Sequence, residues 1–432
     1  MPAPHSAPLG RPLKPKKIKL AVREIVARTP VYDIHTHVYD PAFGPLLLWG
    51  IDELLVYHYL VAEGFRHHHL PPDRFWALSK TEQANLIWEN LFLAHSPISE
   101  SCRGVLTCLH ALGLDVQKRD LPSLRKHFSK WKIERFLDQV LDLSGVERVV
   151  MTNNPFDDLE RPLWLKGWKR DERFEAALRL DDILMTWEKA VPRLRGWGFD
   201  VGLDCSRRTL DETRRFLHEW IERTHPLYLA VSLPPSFAFP DLKIAGPEAI
   251  RNHLLAEAVL PECEEHHLPF AMMIGVKKLV NPNLRLAGDS VGRADPGVVE
   301  RLCAAYPKNK FLVTMLSREN QHEICIVARK FANLHVFGCW WFLNNPSIIE
   351  EMTRERIELL GLSVTPQHSD ARVLDQLIYK WIHFRGILAD VLVDKYTDLA
   401  RTGWGVTEDD IRRDVQDLLG GSFRRFLKQE SV

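Results

Sequence analysis

The feature that most constrains this chain is a repeating order of short strand-like runs and amphipathic helical patterns. Strand-like runs recur at 31–37, 147–152, 174–177, 198–203, 227–231, 270–274, 310–313, 334–337 and 362–365. Most of the gaps carry apolar residues at helical spacing, as in 211–224, 247–266 and 346–360. A β-then-α repeat implies a parallel sheet. This many repeats favour closure over a doubly wound sheet, and no G-x-G-x-x-G phosphate loop supports a dinucleotide-binding fold. The expected class is therefore α/β, a (β/α)8 TIM-type barrel. Nine runs compete for eight positions, so one is surplus.

One gap breaks the rhythm. From 38 to 145 the periodicity is helical throughout (54–65, 73–92, 99–112, 133–143), with no strand signal until residue 147. So long a stretch is not a loop and is expected to be an inserted helical subdomain after the first strand. Residues 1–17, Pro-rich and then Lys-Pro-Lys-Lys, are expected to form a mobile arm, with the barrel spanning 18–432. A first helix over 18–27 should end at Thr29-Pro30, because the residue before proline disfavours helix.

Composition excludes several classes of partner. Lysine plus arginine and aspartate plus glutamate each number 57 in 432 residues, giving a formal net charge of zero and no reason to expect nucleic acid or anionic membrane. The seven cysteines are scattered without a C-x-x-C pair, as expected of reduced thiols in a cytoplasmic protein. The N-terminus has no apolar core of a signal peptide, and no apolar run is long enough to span a bilayer.

The chemistry-bearing residues cluster at expected strand ends. In Asp33-Ile-His35-Thr-His37 the histidines are two apart, so on a strand they face one side and can converge on one cation. Neutral imidazoles suit zinc, iron, nickel or manganese. Asp33 fits either a partner that orients a ligand histidine or a polar strand start. In Gln367-His-Ser-Asp370-Ala-Arg372, Asp370 would lie beside the first strand if a barrel closes, completing a His, His, Asp set. An N-cap role for Ser369 or Asp370 is the plainer alternative. Arg372 suits a bidentate grip on a carboxylate.

Other segments keep two readings open. Helical spacing puts Tyr59 and Arg66 on one face, or makes Tyr57-His58-Tyr59 an aromatic packing stripe; His67-His68-His69 reads as an exposed loop. Trp340 and Trp341 offer a flat wall for a sugar ring, or core packing. Arg179, Asp204, Lys278 and Arg318 fall at or just after expected strand ends, where each can equally be a surface or cap residue.

Taken in order, these segments resemble the uronate (glucuronate) isomerase family of the amidohydrolase superfamily. His35-x-His37 resembles its strand-one metal pair, and His58-Tyr59 with Arg66 its inserted His-Tyr-…-Arg helix. Thr152-Asn-Asn-Pro155 resembles its Thr-Asp-Asp-Pro, Arg179-Leu-Asp181 its Arg-Pro-Asp, and Asp204 its strand-end aspartate. Trp340-Trp341-Phe342 and Asp370-Ala-Arg372 resemble its Trp-Trp-Phe and Asp-Ser-Arg. The resemblance runs from about Val31 to the C-terminus and is distant in the helical insertion.

The resemblance implies interconversion of D-glucuronate with D-fructuronate, or D-galacturonate with D-tagaturonate. It implies one divalent metal on His35, His37 and Asp370, zinc first, with manganese or iron as alternatives. Tyr59 would shuttle the C2 proton to C1. Arg372, with Arg179 or Arg66, would hold the substrate carboxylate, with Trp340 and Trp341 walling the pocket and His58, Asp204 and Lys278 also binding substrate. A small sugar acid and a homo-oligomer are the expected partners.

Two segments depart from the family. Met273-Ile-Gly275-Val-Lys-Lys278 stands where a His-x-Gly-x-x-Arg pattern is usual, and Cys205 follows Asp204 where histidine is typical. Methionine carries no proton and lysine is a point charge rather than a fork. A metal-dependent hydrolase or lyase of the same superfamily, acting on another sugar acid, is the alternative; a barrel that binds sugar acids without turnover is a third.

Overall fold

In the computed structural model, which describes residues 11–240 and 246–429, seven strands form one parallel sheet. They are β1 (Val31–Thr36), β2 (Val146–Asn153), β3 (Phe174–Arg179), β4 (Leu229–Leu233), β5 (Phe270–Ile274), β8 (Phe311–Met315) and β9 (Leu334–Val336). A small antiparallel ladder of β6 (Val276–Lys277) and β7 (Ser290–Val291) interrupts the chain after β5. Sheet order follows chain order, β1-β2-β3-β4-β5-β8-β9. The two ends of the sheet meet through residues 365–371. Thr365 bridges Phe337, and Gly338 N donates to Thr365 O at 2.7 Å. On the other edge Asp370 N donates to His35 O at 3.2 Å and His37 N to Ala371 O at 2.7 Å.

The sheet therefore curls and has two different faces. Its concave face holds a compact set including Tyr32, Ile34, Val150, Ala177, Ala230, Ala271, Leu312 and Phe337, with three alanines where side chains crowd together. The C-terminal helix Ser422–Lys428 adds Phe423 and Phe426 to this set, so it plugs one end. The convex face is covered by helices, whose apolar stripes merge with Val149, Met151, Leu178, Val231, Met272 and Val313 in a much larger core.

Between β1 and β2 the described chain is helical: Ile51–Leu55, His58–Gly64, Pro72–Ala77, Lys80–Trp88, Glu100–Ala111, Leu121–Phe128 and Ile133–Ser144. The Ser79/Glu82 capping box marks one of these starts, satisfying the free amides there. The 26-residue helix Gln376–Arg401 packs against Pro15–Arg28, Glu100–Ala111, Ile133–Ser144 and Pro346–Leu360, and so ties this region to the rest.

Three local expectations need correction. Residues 198–203 are not a strand. Gly198 at φ 90° and the Phe199 N to Leu194 O bond of 3.0 Å make them the C-terminal wrap of helix Trp187–Gly196. Asp204 accordingly stands at no strand end. The first helix begins at Pro15 rather than 18, because proline at the first helical position needs no amide partner. Residues 1–10 of the expected arm lie outside the described residues.

Two stability tests follow. Gly338 (φ +68°) sits so close that an added Cβ would overlap the His368 ring, whereas Gly361 (φ +61°) has nothing within 4 Å. Gly361→Ala should cost roughly 1–2 kcal/mol of backbone strain, and Gly338→Ala about 1–3 kcal/mol more from overpacking, read as thermal midpoints. Asp375 accepts from Gly50 N at 2.9 Å, but its buried Oδ1 has no partner, and burial pushes its pKa up to about 7. An acid raised in the folded state destabilises it as pH climbs from the unfolded value of 3.8 through about 7. Asp375→Asn should therefore match or trail wild type near pH 4 and gain on it by pH 8 in thermal melts.

Candidate active site and metal centre

The centre begins with an irregularity in β1. Asp33 pairs with Val149 and Thr36 with Met151, so β1 spends one residue more than β2 over this interval. Such a bulge breaks the two-residue alternation. Asp33 points outward, accepting from Ser369 N (3.0 Å) and Trp381 Nε1 (2.9 Å). His35 and His37 turn toward the mouth of the sheet. Asp33 thus anchors the chain's closing segment and orients neither histidine.

Other residues perform that orientation. Tyr228 OH donates to Ile34 O at 2.7 Å, so at 3.0 Å from His35 Nδ1 it can only accept. Thr152 Oγ1 donates to Thr36 O at 3.0 Å and accepts from His37 Nδ1 at 2.7 Å. Both imidazoles therefore carry their proton on Nδ1, leaving the Nε2 lone pairs free. These lie 3.8 Å (His35) and 3.5 Å (His37) from Asp370 Oδ1. Burial, opposed only partly by Asp370, keeps both histidines neutral. Although burial works against it, the surrounding histidines hold the Asp370 carboxyl well below the usual carboxylate range.

Two neutral lone pairs and an anionic oxygen facing one another, with His35 Nε2 buried and unpartnered, are the donor set of a divalent-metal site. Asp370 reaches this place at φ +50°, a strained conformation for a non-glycine residue.

A cavity of about 150 Å³ opens beside the triad, with His37 and Asp370 in its wall. Arg179 enters from β3, its Nε held by Asp181 at 3.0 Å; despite burial, that neighbour keeps it charged. Arg372 also lines the cavity and makes no ion pair among the described residues. Trp340 and Trp341 form one wall; Trp341, at φ +46°, stacks on Phe342 with centroids 4.8 Å apart. Lys278 lies 5.2 Å over the Trp341 ring and bonds Asp289 at 2.8 Å. Met273, from β5, and Ser232, from β4, complete the floor.

From the helical region come Tyr57 and His58. Tyr59 packs edge-to-face behind Tyr57 at 5.0 Å and is not in the wall. The structure does not bring Arg66, Asp204 or Arg318 into the cavity. Arg66 is exposed at a helix end. Asp204 is exposed and accepts from Thr209 (2.9 Å) and Ser206 (3.1 Å) at the start of the helix Arg207–Thr224. Arg318 pairs bidentately with Glu351.

No protein-family model matches the chain, and neither does any curated protein sequence. Solved structures do. A uronate isomerase from Bacillus halodurans is 54% identical over 97% of this chain and 98% of its own, with a TM-score of 0.93. The chain belongs to the uronate isomerase family. A uronate isomerase from Thermotoga maritima (15% identity, 98% of this chain, all of its own, TM-score 0.78) shares the fold. So does a glucuronate isomerase from Caulobacter crescentus (15%, 98% and 97%, 0.65).

In this uronate isomerase family member the sequence offered Tyr57 only as part of an aromatic packing stripe, and gave no sign of Ser232, Tyr228 or Leu286, another wall residue. Tyr228 had no pattern to betray it, being a single tyrosine in an apolar run. Thr152 was quoted only as part of a strand-end motif. If the two hydroxyls set the tautomers, Tyr228→Phe and Thr152→Val should each weaken metal retention by about 10–100-fold, measured by competition with a chelator. Unchanged retention in both would show that the hydroxyls do not matter.

Proposed function

We propose that this chain is an aldose–ketose isomerase of hexuronates, interconverting D-glucuronate with D-fructuronate or D-galacturonate with D-tagaturonate. The observation that carries this is one cavity walled by two guanidinium groups, Arg179 and Arg372, together with His37 and Asp370 of the His35/His37/Asp370 donor set. A sugar acid presents both features the cavity matches, vicinal oxygens and a carboxylate. His35, His37 and Asp370 would hold one divalent metal, zinc in our reading, which supplies charge neutralisation of substrate oxygens.

The chain's own residues set up the rest. Arg179, fixed by Asp181, and Arg372 grip the carboxylate, and Trp340 with Trp341 packs against the carbon chain of the opened sugar. Isomerisation moves a proton from C2 to C1 and a second from the C2 hydroxyl to the C1 oxygen, so it needs a base at carbon and a donor at oxygen. The turn Tyr57-His58-Tyr59 supplies the groups for it: burial leaves both phenols protonated donors, while His58 is held neutral (pKa about 3) with Nε2 unpartnered. Tyr57 stands in the wall, whereas the family's His-Tyr motif points to Tyr59. Met273, at the end of β5, removes one titratable group from the floor and leaves this turn to move the proton.

We further read the curled sheet as a (β/α)8 barrel whose eighth position is the 365–371 segment, with 38–145 as an inserted helical subdomain. Among the described residues no helix is long and apolar enough to cross a membrane. The same proposal includes a cytoplasmic homo-oligomer that acts on a small sugar acid without nucleic acid.

Metal-loaded protein should convert glucuronate or galacturonate to the keto acid, with solvent deuterium entering C1 and no carbon–carbon or carbon–oxygen bond cleaved. Silence on both, with metal bound, would overturn the proposal. Among Tyr57→Phe, Tyr59→Phe and His58→Gln, at least one should lower kcat by about 100-fold or more at unchanged metal content. Full kcat in all three would place the proton shuttle elsewhere.

A further inference from the structure

A second group of metal-binding side chains lies outside the cavity, on the convex side of the sheet. The helix Arg207–Thr224 carries His218, and the helix Leu260–Glu265 carries Glu262 and ends at His266. Glu262 and His266 are four apart and so share a face. His218 meets them from the neighbouring helix. His266 Nε2 lies 3.1 Å from His218 Nδ1 and 3.5 Å from Glu262 Oε2; His218 Nδ1 lies 3.8 Å from the same oxygen.

We propose that His218 Nδ1, Glu262 Oε2 and His266 Nε2 form a second divalent-metal site that clamps these two outer helices together, with zinc as the fitting ion. Three atoms about 2.0–2.2 Å from a tetrahedral zinc stand roughly 3.3–3.6 Å apart, which is the scale of this triangle. The triangle matches the spacing seen between the imidazoles and Asp370 in the cavity.

The decisive feature is Glu262. Its side chain is only 4% exposed, and Oε2 has no hydrogen-bond partner, a costly state for a carboxylate oxygen unless a cation meets it. Its other oxygen accepts from Arg214 Nε at 2.8 Å, so the carboxylate cannot turn away. A hydrogen bond between the two imidazoles accounts for their contact but leaves Oε2 unmatched. Behind His266, Glu222 lies 3.8 Å from Nδ1, on the side where a carboxylate orients a ligand imidazole. His218 is 51% exposed, so water reaches the fourth position.

This centre is separate from the cavity. His266 precedes β5 by a few residues, whereas the cavity residues stand at or beyond the strands' other ends. Three protein ligands with a solvent position and no cavity beside them suit a clamp rather than a catalyst.

The test is zinc stoichiometry. Full-length protein is stripped with chelator, reloaded with zinc chloride, desalted and analysed for metal per chain. The expected result is two zinc ions in wild type and one in His218→Gln, Glu262→Gln or His266→Gln, with keto-acid formation unchanged. Asp370→Asn should also keep one, bound at the outer site. The second equivalent should raise the thermal midpoint of wild type and not of His218→Gln, whose half-exposed side chain makes a folding defect readily excluded by circular dichroism. Glu222→Gln should weaken the second equivalent by about 10-fold. One zinc in wild type, a second removed by desalting, or a second that survives His266→Gln would overturn the proposal. The count is independent of catalysis, so inactive protein with two zinc ions would fault the isomerase reading alone.

Discussion

The structure depends on a seam where the end of the sheet returns to its beginning. Asp33, fully buried in β1, receives Ser369 N and Trp381 Nε1, and the next residues exchange backbone bonds with Asp370 and Ala371. Burial pushes the Asp33 carboxyl up to about 6 in spite of those bonds, a sign of how far from water the seam lies. The donor Ser369 is 336 residues away along the chain. Closing so long a loop costs entropy that only the whole packed fold can offset. Without the seam Asp370 would have no reason to stand opposite His35 and His37.

Two consequences flow from the seam. The bulge that sends Asp33 outward is what lets His35 and His37 turn inward, so the anchor and the candidate metal ligands share one local distortion. The seam also strains Asp370 into a left-handed conformation, and Trp341, across the cavity, shares that strain. Strain concentrated in two wall residues is held there by the surrounding core. The candidate metal ligands, the guanidiniums and the aromatic wall then gather around one volume while entering from β1, β3, the loop after β9, the closing segment and the helical region.

Much of this was legible along the chain. The β-then-α rhythm led to a parallel sheet because strands and helices have distinct periods. The pair His35-x-His37 was visible because both ligands come from one strand, and Trp340-Trp341 and Asp370-x-Arg372 were visible for the same local reason. What failed were inferences that assumed regular geometry beyond a few residues. Residues 198–203 looked like a strand, but a glycine at positive φ folds them back onto a helix, and Asp204 lost its assumed position with them. For Asp33 the sequence left two readings open, an orienter of a ligand histidine or a polar strand start, and the bulge turns it away from both histidines.

The sequence by itself determined the residue types that can ligate a metal and hold a carboxylate, their order, and the alternating elements that carry them. These are local properties, set by side-chain chemistry and by periodicity over one or two turns. Only the tertiary structure decided which imidazole nitrogens are free, because Tyr228 and Thr152 reach the histidines from other strands. It also decided that Tyr57 faces the cavity with Tyr59 behind it, and that His218 meets Glu262 and His266 across two helices. Periodicity marks which face of an element is buried, whereas which distant side chains then meet depends on close packing between elements and leaves no periodic trace.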